Sequence, residues 1–224
     1  MDVQQTFNDI AQSYDRMNRV MTLGQDQRWR RELVEGLALQ AGERLLDLGA
    51  GTGDLSFEAI RQQAGCHVVA ADFTLAMLRL GQQRAGGELL PWTSADGLYL
   101  PFPDESFDAV CSGFLLRNVR DLDQALREQK RVLKPNGRLA SLDTSRPTRN
   151  WLSPFINIYL NFCIPLLGSV IAGNRNAYQY LSASTQAFLT AEELAERMSQ
   201  AGFQTVRFKR RMAGTIGLHW ANKP

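Results

Sequence analysis

The ten residues LLDLGAGTGD at positions 45–54 constrain the fold more than any other stretch of the chain. An apolar run reads as a buried strand, carries Asp47 near its end, and meets glycine at 49, 51 and 53. Glycine lets the backbone turn sharply and approach a ligand with no Cβ in the way. The helix beyond such a turn offers free N–H groups at its start. Strand, glycine turn and helix in that order belong to open α/β sheets, which bind ligands outside the carboxyl ends of their strands.

The rest of the chain keeps the same rhythm. RLLDLG reads as a strand and DLSFEAIRQQ as a helix; HVVAAD follows as a strand, and TLAMLRLGQQR as a helix capped by Thr74. ELLPWTSAD is a weaker strand, FDAVCSG a strand, and DLDQALREQKRVL a helix opened by Asp121. Pro135, Asn136 and Gly137 turn the chain into the strand RLASLDTS. TAEELAERMSQAGF reads as a helix with Thr190 and Glu193 at capping-box spacing, ended by Gly202. Two strands, 204–209 and 215–221, then make an antiparallel hairpin. The expected fold is therefore a Rossmann-like α/β domain: a mostly parallel seven-stranded sheet with helices on both faces and an antiparallel end.

Two segments lie outside that rhythm. Apolar residues at Val3, Phe7, Ile10, Tyr14, Met17 and Met21 have helical spacing, and a second helical stretch covers about 26–39, so residues 1–40 read as a helical lid. Residues 151–174, WLSPFINIYLNFCIPLLGSVIAGN, carry no charge. Their length admits a membrane span, but Pro154, Pro165, Gly168 and several Asn argue against one. The expectation is a helical substrate-cover insertion over 147–188, with contact to a membrane surface left open and an ordinary core helix pair as the plainer alternative. A chain of 224 residues suits one domain, 1–224.

The glycine spacing selects the ligand. A dinucleotide needs G-x-G-x-x-G to cradle its pyrophosphate. Here the third glycine is one position early and Asp54 takes the last slot. Carboxylates at Asp47 and Asp54 repel a diphosphate and suit a cationic ligand, which disfavours a nicotinamide dehydrogenase and points to S-adenosylmethionine (SAM), with its sulfonium and ammonium groups. Asp72, ending the second strand, is placed to accept the ribose hydroxyls, and Asp96, followed by Gly97, the adenine amine. Phe73 and Met77 are placed to pack on ribose and adenine. Gly49, Gly51, Thr52 and Gly53 form the turn, and Ser112 and Tyr14 complete the candidate cofactor contacts.

Several classes are set aside. A net charge of +2 is too small to argue for nucleic acid. The denser cluster of Arg207, Lys209, Arg210 and Arg211 is either a solvated face or a contact for an anionic surface. Cys66, Cys111 and Cys163 show no C-x-x-C pattern, which fits a reducing compartment. With only His67 and His219 available, no zinc site and no other metal is expected. The start MDVQQTFNDI has no signal-peptide pattern. The expected location is cytoplasmic, at most at the inner face of the membrane.

On these residues the chain resembles the class I SAM-dependent methyltransferases. More narrowly it resembles the ubiquinone/menaquinone biosynthesis C-methyltransferase family, over nearly its whole length. The specific matches are FNDIAQSYDRMN at 7–18, RVLKPNGRLASLDTSRP at 131–147 and AYQYLSASTQAF at 177–188; GQDQRWR at 24–30 and Arg117-Asn118-Val119 also fit, and LPFPDESFD at 100–108 is more general. The chain departs from the family pattern at Asp26 (usually His), Leu115 (Gly), Asp143 (Glu) and Ala213 (Gly). These departures bear on the substrate more than on the chemistry.

The resemblance implies methylation of a ring carbon of a prenylated quinol, with S-adenosylhomocysteine (SAH) as the by-product. Arg117 and Asn118, after the fourth strand, are candidates to stabilise a phenolate; the plainer role for Arg117 is an ion pair that buttresses the loop. Asp143 is a further catalytic candidate, or a loop carboxylate. His219 is a candidate substrate contact titrating near neutral pH. Trp151, Phe155, Tyr159 and Phe162 are candidates for an apolar trough around a prenyl tail. Alternatives stay open: methylation of another apolar phenol, sterol or secondary metabolite, or a non-catalytic SAM-binding protein. A homodimer is also left open.

Overall fold

The computed structural model describes residues 3–147, 153–172 and 175–224. Its centre is a seven-stranded sheet in the order β3-β2-β1-β4-β5-β7-β6. The strands are β1 (Arg44–Leu48), β2 (His67–Asp72), β3 (Trp92–Ser94), β4 (Phe107–Gly113), β5 (Leu133–Thr144), β6 (Gln204–Arg211) and β7 (Ile216–Asn222). β1 to β5 run parallel, and β7 is antiparallel to both β5 and β6. The chain winds outward from β1 to β3 and then returns to lay β4 on the other side of β1. That reversal opens a crevice at the carboxyl ends of β1 and β4, where Leu48 pairs with Ser112.

Alternation along each strand sends side chains to two separate cores. Leu45, Ala109, Cys111, Leu142, Leu218 and Trp220 face one side, under α2 (Gln25–Glu35) and α3 (Asp54–Gln62). Leu46, Leu48, Val110, Leu139 and Ala221 face the other, under α5 (Leu122–Val132) and α9 (Ala191–Gln200), with Leu126, Leu194 and Met198 packed on them. α4 (Leu75–Gln82) connects β2 to β3. The alternation fixes polar residues too. Asp47 shares the Leu45 face and lies beneath α3. Asp143 and His219 share the opposite face.

A third core forms a cap. α1 (Val3–Met21) contributes Ile10 and Met17. α6 (Ser153–Ile158), a π-helical segment Tyr159–Cys163 and α7 (Ile164–Ala172) contribute Ile156, Leu160 and Ile164, and α8 (Arg175–Ala187) contributes Leu181. No described helix is long and apolar enough to cross a membrane. Over residues 153–172 the uncharged stretch is α6, the π-helical segment and α7 in direct succession, with Asn157 and Asn161 inside the helical run.

Local corrections have local causes. The second helix stops at Glu35 rather than near 39: the N–H groups of Leu37 and Ala38 turn to the carbonyls of Val34 and Glu35, and Ala38 takes a left-handed φ of +48°. Thr74 occupies the N-cap of α4 without a side-chain cap bond; its N–H is taken instead by Asp72 Oδ1 at 2.7 Å. Asp121 does cap α5, and Thr190 with Glu193 forms the capping box on α9. Pro135-Asn136-Gly137 is an irregularity inside β5, where Phe107 pairs with Leu133 but Ala109 with Arg138. The basic cluster on β6 is consumed internally. Lys209 and Arg211 pair with Glu32, Arg210 with Glu192, and the Arg207 guanidinium lies 5.4 Å over the Trp220 ring. The charges tie β6 to α2 and α9, which favours the intramolecular role over an anionic-surface contact.

Trp220 joins these features: its indole N–H donates to the Leu33 carbonyl at 2.9 Å, and one face receives Gly36. Gly36→Ala places a methyl inside that indole. The expected cost is about 1–3 kcal/mol by overpacking, read as a lower denaturant midpoint at unchanged m-value. A midpoint equal to the parent's would contradict this packing.

Candidate functional site

The glycine turn is built as its sequence requires. Gly49, Gly51 and Gly53 have φ of +69°, +58° and +89°. At Gly53 a Cβ would stand 2.7 Å from the Trp92 ring. At Gly51 a Cβ would meet nothing within 4 Å, because that side of the turn faces open cavity. The turn is held from β2: Ala71 O accepts from the N–H groups of Gly49 (2.8 Å) and Ala50 (3.0 Å), and Asp72 Oδ2 accepts from Gly51 N–H at 2.8 Å.

The cavity over this turn holds about 710 Å³, within the range of small-molecule sites. Its walls bring together Asp47, Gly49, Gly51, Thr52, Asp72, Phe73, Met77, Asp96, Gly97 and Asn118, all of them candidates on sequence grounds. Met77 is buried, whereas Phe73 is half exposed at the rim. Asp96 Oδ1 accepts from Leu98 N–H at 2.9 Å, which shapes its loop. Tyr14 lies on α1, but its side chain lies outside the described residues. Ser112 does not border the cavity. It faces the α5 side of the sheet, where its hydroxyl meets that of Ser141 at 3.3 Å.

The charges are more ordered than the sequence suggested. Asp47 Oδ2 accepts from the Ser56 N–H (2.9 Å) and hydroxyl (2.7 Å), while its buried Oδ1 has no partner. Burial pushes the Asp47 carboxyl up to about 6, against the lowering effect of those bonds. Asp72 is likewise raised by burial. Asp54 is not the free anion expected. Arg84 donates to its Oδ1 at 2.7 Å, and the Arg30 Nε stands 3.4 Å from Oδ2. Despite its burial, the two guanidiniums hold its carboxyl below the ordinary value. Arg84 also donates to the Thr52 carbonyl (2.9 Å), and the Thr52 hydroxyl donates to Asp15 on α1 (2.8 Å). Burial, then the charge of Asp54, raises the Asp15 carboxyl. Arg30 belongs to the GQDQRWR match without a role assigned to it there, and Arg84 carried no sequence signal, since it belongs neither to the turn nor to a strand end.

A cationic ligand with an adenosine moiety fits these residues. Asp47 offers an unused buried carboxylate oxygen, Gly51 an open backbone, and Asp72 a carboxylate at the rim of β2. That donor set and the cradle at Gly51 carry the fit.

Beside this cavity lies a smaller one of about 70 Å³. Phe114 borders both. The smaller cavity is walled by Met21, Tyr159, Leu160, Ile164, Leu181 and Ile216, with polar groups from Asn18, Arg117, Thr144 and Thr185. Arg117 therefore borders the second cavity rather than the first. Its guanidinium pairs with Asp143 Oδ1 at 2.7 Å, its N–H reaches Asp143 Oδ2 at 3.2 Å, and both side chains are buried. Asn118 donates to the Phe114 carbonyl at 2.9 Å and accepts from the Tyr180 hydroxyl at 3.2 Å.

Of the proposed trough residues, Tyr159 borders the second cavity, with its hydroxyl donating to the Met21 carbonyl. Phe155 and Phe162 are instead largely exposed, and Trp151 lies outside the described residues. His219 borders neither cavity. The strand alternation turns it toward α9, where Nε2 bonds the Ala191 carbonyl at 2.8 Å and Phe208 stacks at 5.6 Å. Burial pushes its imidazole below the ordinary value. Among the described residues no cluster of ligating side chains for a metal is present.

Comparison with known proteins agrees with this geometry. Residues 1–223 match the model of the ubiE/COQ5 methyltransferase family. A ubiquinone/menaquinone biosynthesis C-methyltransferase of Desulfotalea psychrophila is 45% identical over 221 residues, covering 99% of this chain and 90% of that one. A demethylmenaquinone methyltransferase of Thermus thermophilus is 40% identical over 220 residues, covering 97% of this chain and all (100%) of that one. The fold is shared with a phosphoethanolamine N-methyltransferase of Haemonchus contortus solved with S-adenosylhomocysteine: TM-score 0.65, 16% identity, 87% of this chain and 52% of that one. The chain is a SAM-dependent methyltransferase with the class I fold, and it belongs to the ubiE/COQ5 methyltransferase family.

Proposed function

We propose that the chain methylates a ring carbon of a prenylated quinol, of the demethylmenaquinol or 2-polyprenyl-6-methoxy-1,4-benzoquinol type, in quinone biosynthesis. The observation that carries this reading is the second cavity: apolar walls around a buried guanidinium, one aromatic ring away from the cofactor turn. The names of the relatives point to the same class of acceptor.

The bound cofactor supplies an electrophilic methyl on its sulfonium. The chain's own residues have three tasks. Asp47 and Asp72 hold the donor's cationic and ribose groups. Phe114 and the cap residues exclude water and place the ring; alignment of this kind is worth several kcal/mol of the barrier. Arg117, fixed by Asp143, offers positive charge to a ring oxygen. A guanidinium keeps its proton, so Arg117 serves by stabilising the phenolate that makes the neighbouring carbon nucleophilic. With SAM bound, the ring carbon would take the sulfonium's methyl, leaving the thioether of SAH, and the proton lost from that carbon would pass to solvent, restoring the aromatic ring.

The cap fits an isoprenoid. Its inner face, with Leu160, Ile164 and Leu181, is apolar and borders the cavity. Its outer face exposes Phe155, Ile158, Phe162 and Leu166. Such a two-sided apolar helix supports contact with a lipid surface, where a prenylated acceptor resides. A prenylated ring exceeds about 70 Å³, so this reading requires the cap to move outward on binding.

The direct test is methyl transfer from labelled SAM to either reduced quinol in detergent, with the product mapped by mass spectrometry. Methylation only of other phenols would reassign the acceptor, and SAM binding with no transfer to any acceptor would leave a non-catalytic binder. Arg117→Lys keeps the charge and loses the planar fork; kcat should fall about 10²-fold, with SAM affinity within about twofold of the parent. Equal loss of kcat and SAM affinity would place Arg117 in the cofactor site. Asp47 gives the pH dependence. Its carboxyl, raised to about 6, is neutral below that pH and anionic above it. Affinity for the cationic donor should therefore fall as pH drops through about 6, with proton release on binding. In Asp47→Asn the affinity should be lower at pH 7.5 and this step reduced. A step of unchanged size would assign it to Asp15 or Asp72.

A further inference from the structure

Buried polar groups in folded proteins are almost always paired. Around the second cavity three are not: Asn18 Nδ2, Arg117 Nε and Thr144 Oγ1 are buried with no hydrogen-bond partner. All three residues border this cavity. They come from different walls: Asn18 from α1, Arg117 from the turn after β4, and Thr144 from the end of β5. Leaving such groups unsatisfied costs about 1–3 kcal/mol each, so their convergence on one small apolar space marks a place where oxygen atoms are bound.

The donor types narrow the ligand. Arg117 Nε–H and the Asn18 amide N–H can only donate, whereas the Thr144 hydroxyl donates or accepts. A ring oxygen with free lone pairs satisfies either nitrogen, and a ring hydroxyl can donate to Thr144. Sterol-like acceptors with a single oxygen would leave part of the set unpaired. We infer that Asn18 and Thr144 are acceptor-recognition residues of this enzyme, binding ring oxygen and selecting a ring with two oxygens over a ring with one. The inference rests on the second cavity being the acceptor site.

Selectivity of this kind follows a known asymmetry: a site built to hydrogen-bond a substrate oxygen rejects the analogue lacking it, because its own polar groups are then stranded. Asn18 lies on the lid helix, which also carries Asp15 and its bond to Thr52 in the cofactor turn. Acceptor recognition and cofactor enclosure therefore share one helix.

The experiment uses the full chain with SAH bound, and reads binding of 1,4-naphthalenediol and 1-naphthol by calorimetry under reducing conditions. The parent should prefer the diol by about tenfold, one well-formed hydrogen bond. Thr144→Val, which keeps the shape of the side chain, and Asn18→Leu should each reduce that preference to about twofold, with SAH affinity unchanged. Thr144→Ser, which restores the hydroxyl, should recover the preference. A tenfold preference that survives both substitutions would overturn the inference while leaving the quinol reading intact. Equal losses in the Val and Ser variants would also overturn it. If the parent binds neither ring, the acceptor assignment of the cavity fails, and this inference with it.

Discussion

Phe114 sits in a left-handed backbone conformation, φ +59°, which an aromatic residue rarely adopts. Such a residue costs about 1–3 kcal/mol and persists only where its surroundings hold it. Here they hold it from every side. Its N–H donates to Leu142 O at 2.7 Å, and its carbonyl accepts from Asn118. The guanidiniums of Arg30 and Arg117 lie 5.5 and 5.2 Å from its ring centroid. The consequence is a ring that borders both the larger and the smaller cavity. A relaxed backbone at this position would turn the ring elsewhere and merge or close the two spaces. The strand order puts the crevice here, and the strained residue divides it.

The two arginines that flank this ring each belong to a separate ionic arrangement, and the separation has a function. Arg30 pairs with Asp54, and Asp26 stands behind it at 3.7 Å. Arg84 and Thr52 extend that chain to Asp15 on the lid helix. α1, the glycine turn and the segment that follows α4 are thereby coupled electrostatically beside the larger cavity. On the other side, Arg117 and Asp143 form a closed, buried pair. A buried pair of this kind contributes little net stability compared with apolar residues of the same size. What the pair does supply is a fixed guanidinium on the wall of the smaller cavity.

The fold and the cofactor half were legible because their signals are local. A glycine turn, an acid at the end of β2 and another in the loop after β3 each sit beside the strand end that positions them, so reading strands was enough to place Asp47, Asp72 and Asp96 together. The acceptor half was less legible for a geometric reason. Its wall is drawn from α1, the turn after β4, the end of β5, the cap helices and the start of β7. Which face each residue shows depends on strand parity and helix phase in the assembled protein. Parity alone explains His219: one residue away, Leu218 and Trp220 face α2, so His219 must face α9. Helix phase explains Phe155 and Phe162, which read as trough residues by composition yet lie on the outer face of the cap.

The positions at which the chain departs from its family pattern fit the same division. Asp26 is buried, takes the Thr22 hydroxyl at 2.9 Å and backs Arg30, so its negative charge serves the lid side. Leu115 packs directly over Gly49, 3.0 Å from where a Cβ would stand, and so closes the space beside the turn. Asp143 reaches Arg117 with a side chain one methylene shorter than glutamate, drawing the guanidinium toward β5. Ala213 adopts φ +52°, a conformation glycine takes more readily, in the link next to Met212 and Thr215 of the acceptor wall. None of the four belongs to the glycine turn or to the acids Asp47, Asp72 and Asp96, so the departures leave in place the features that read as a methyl-donor site.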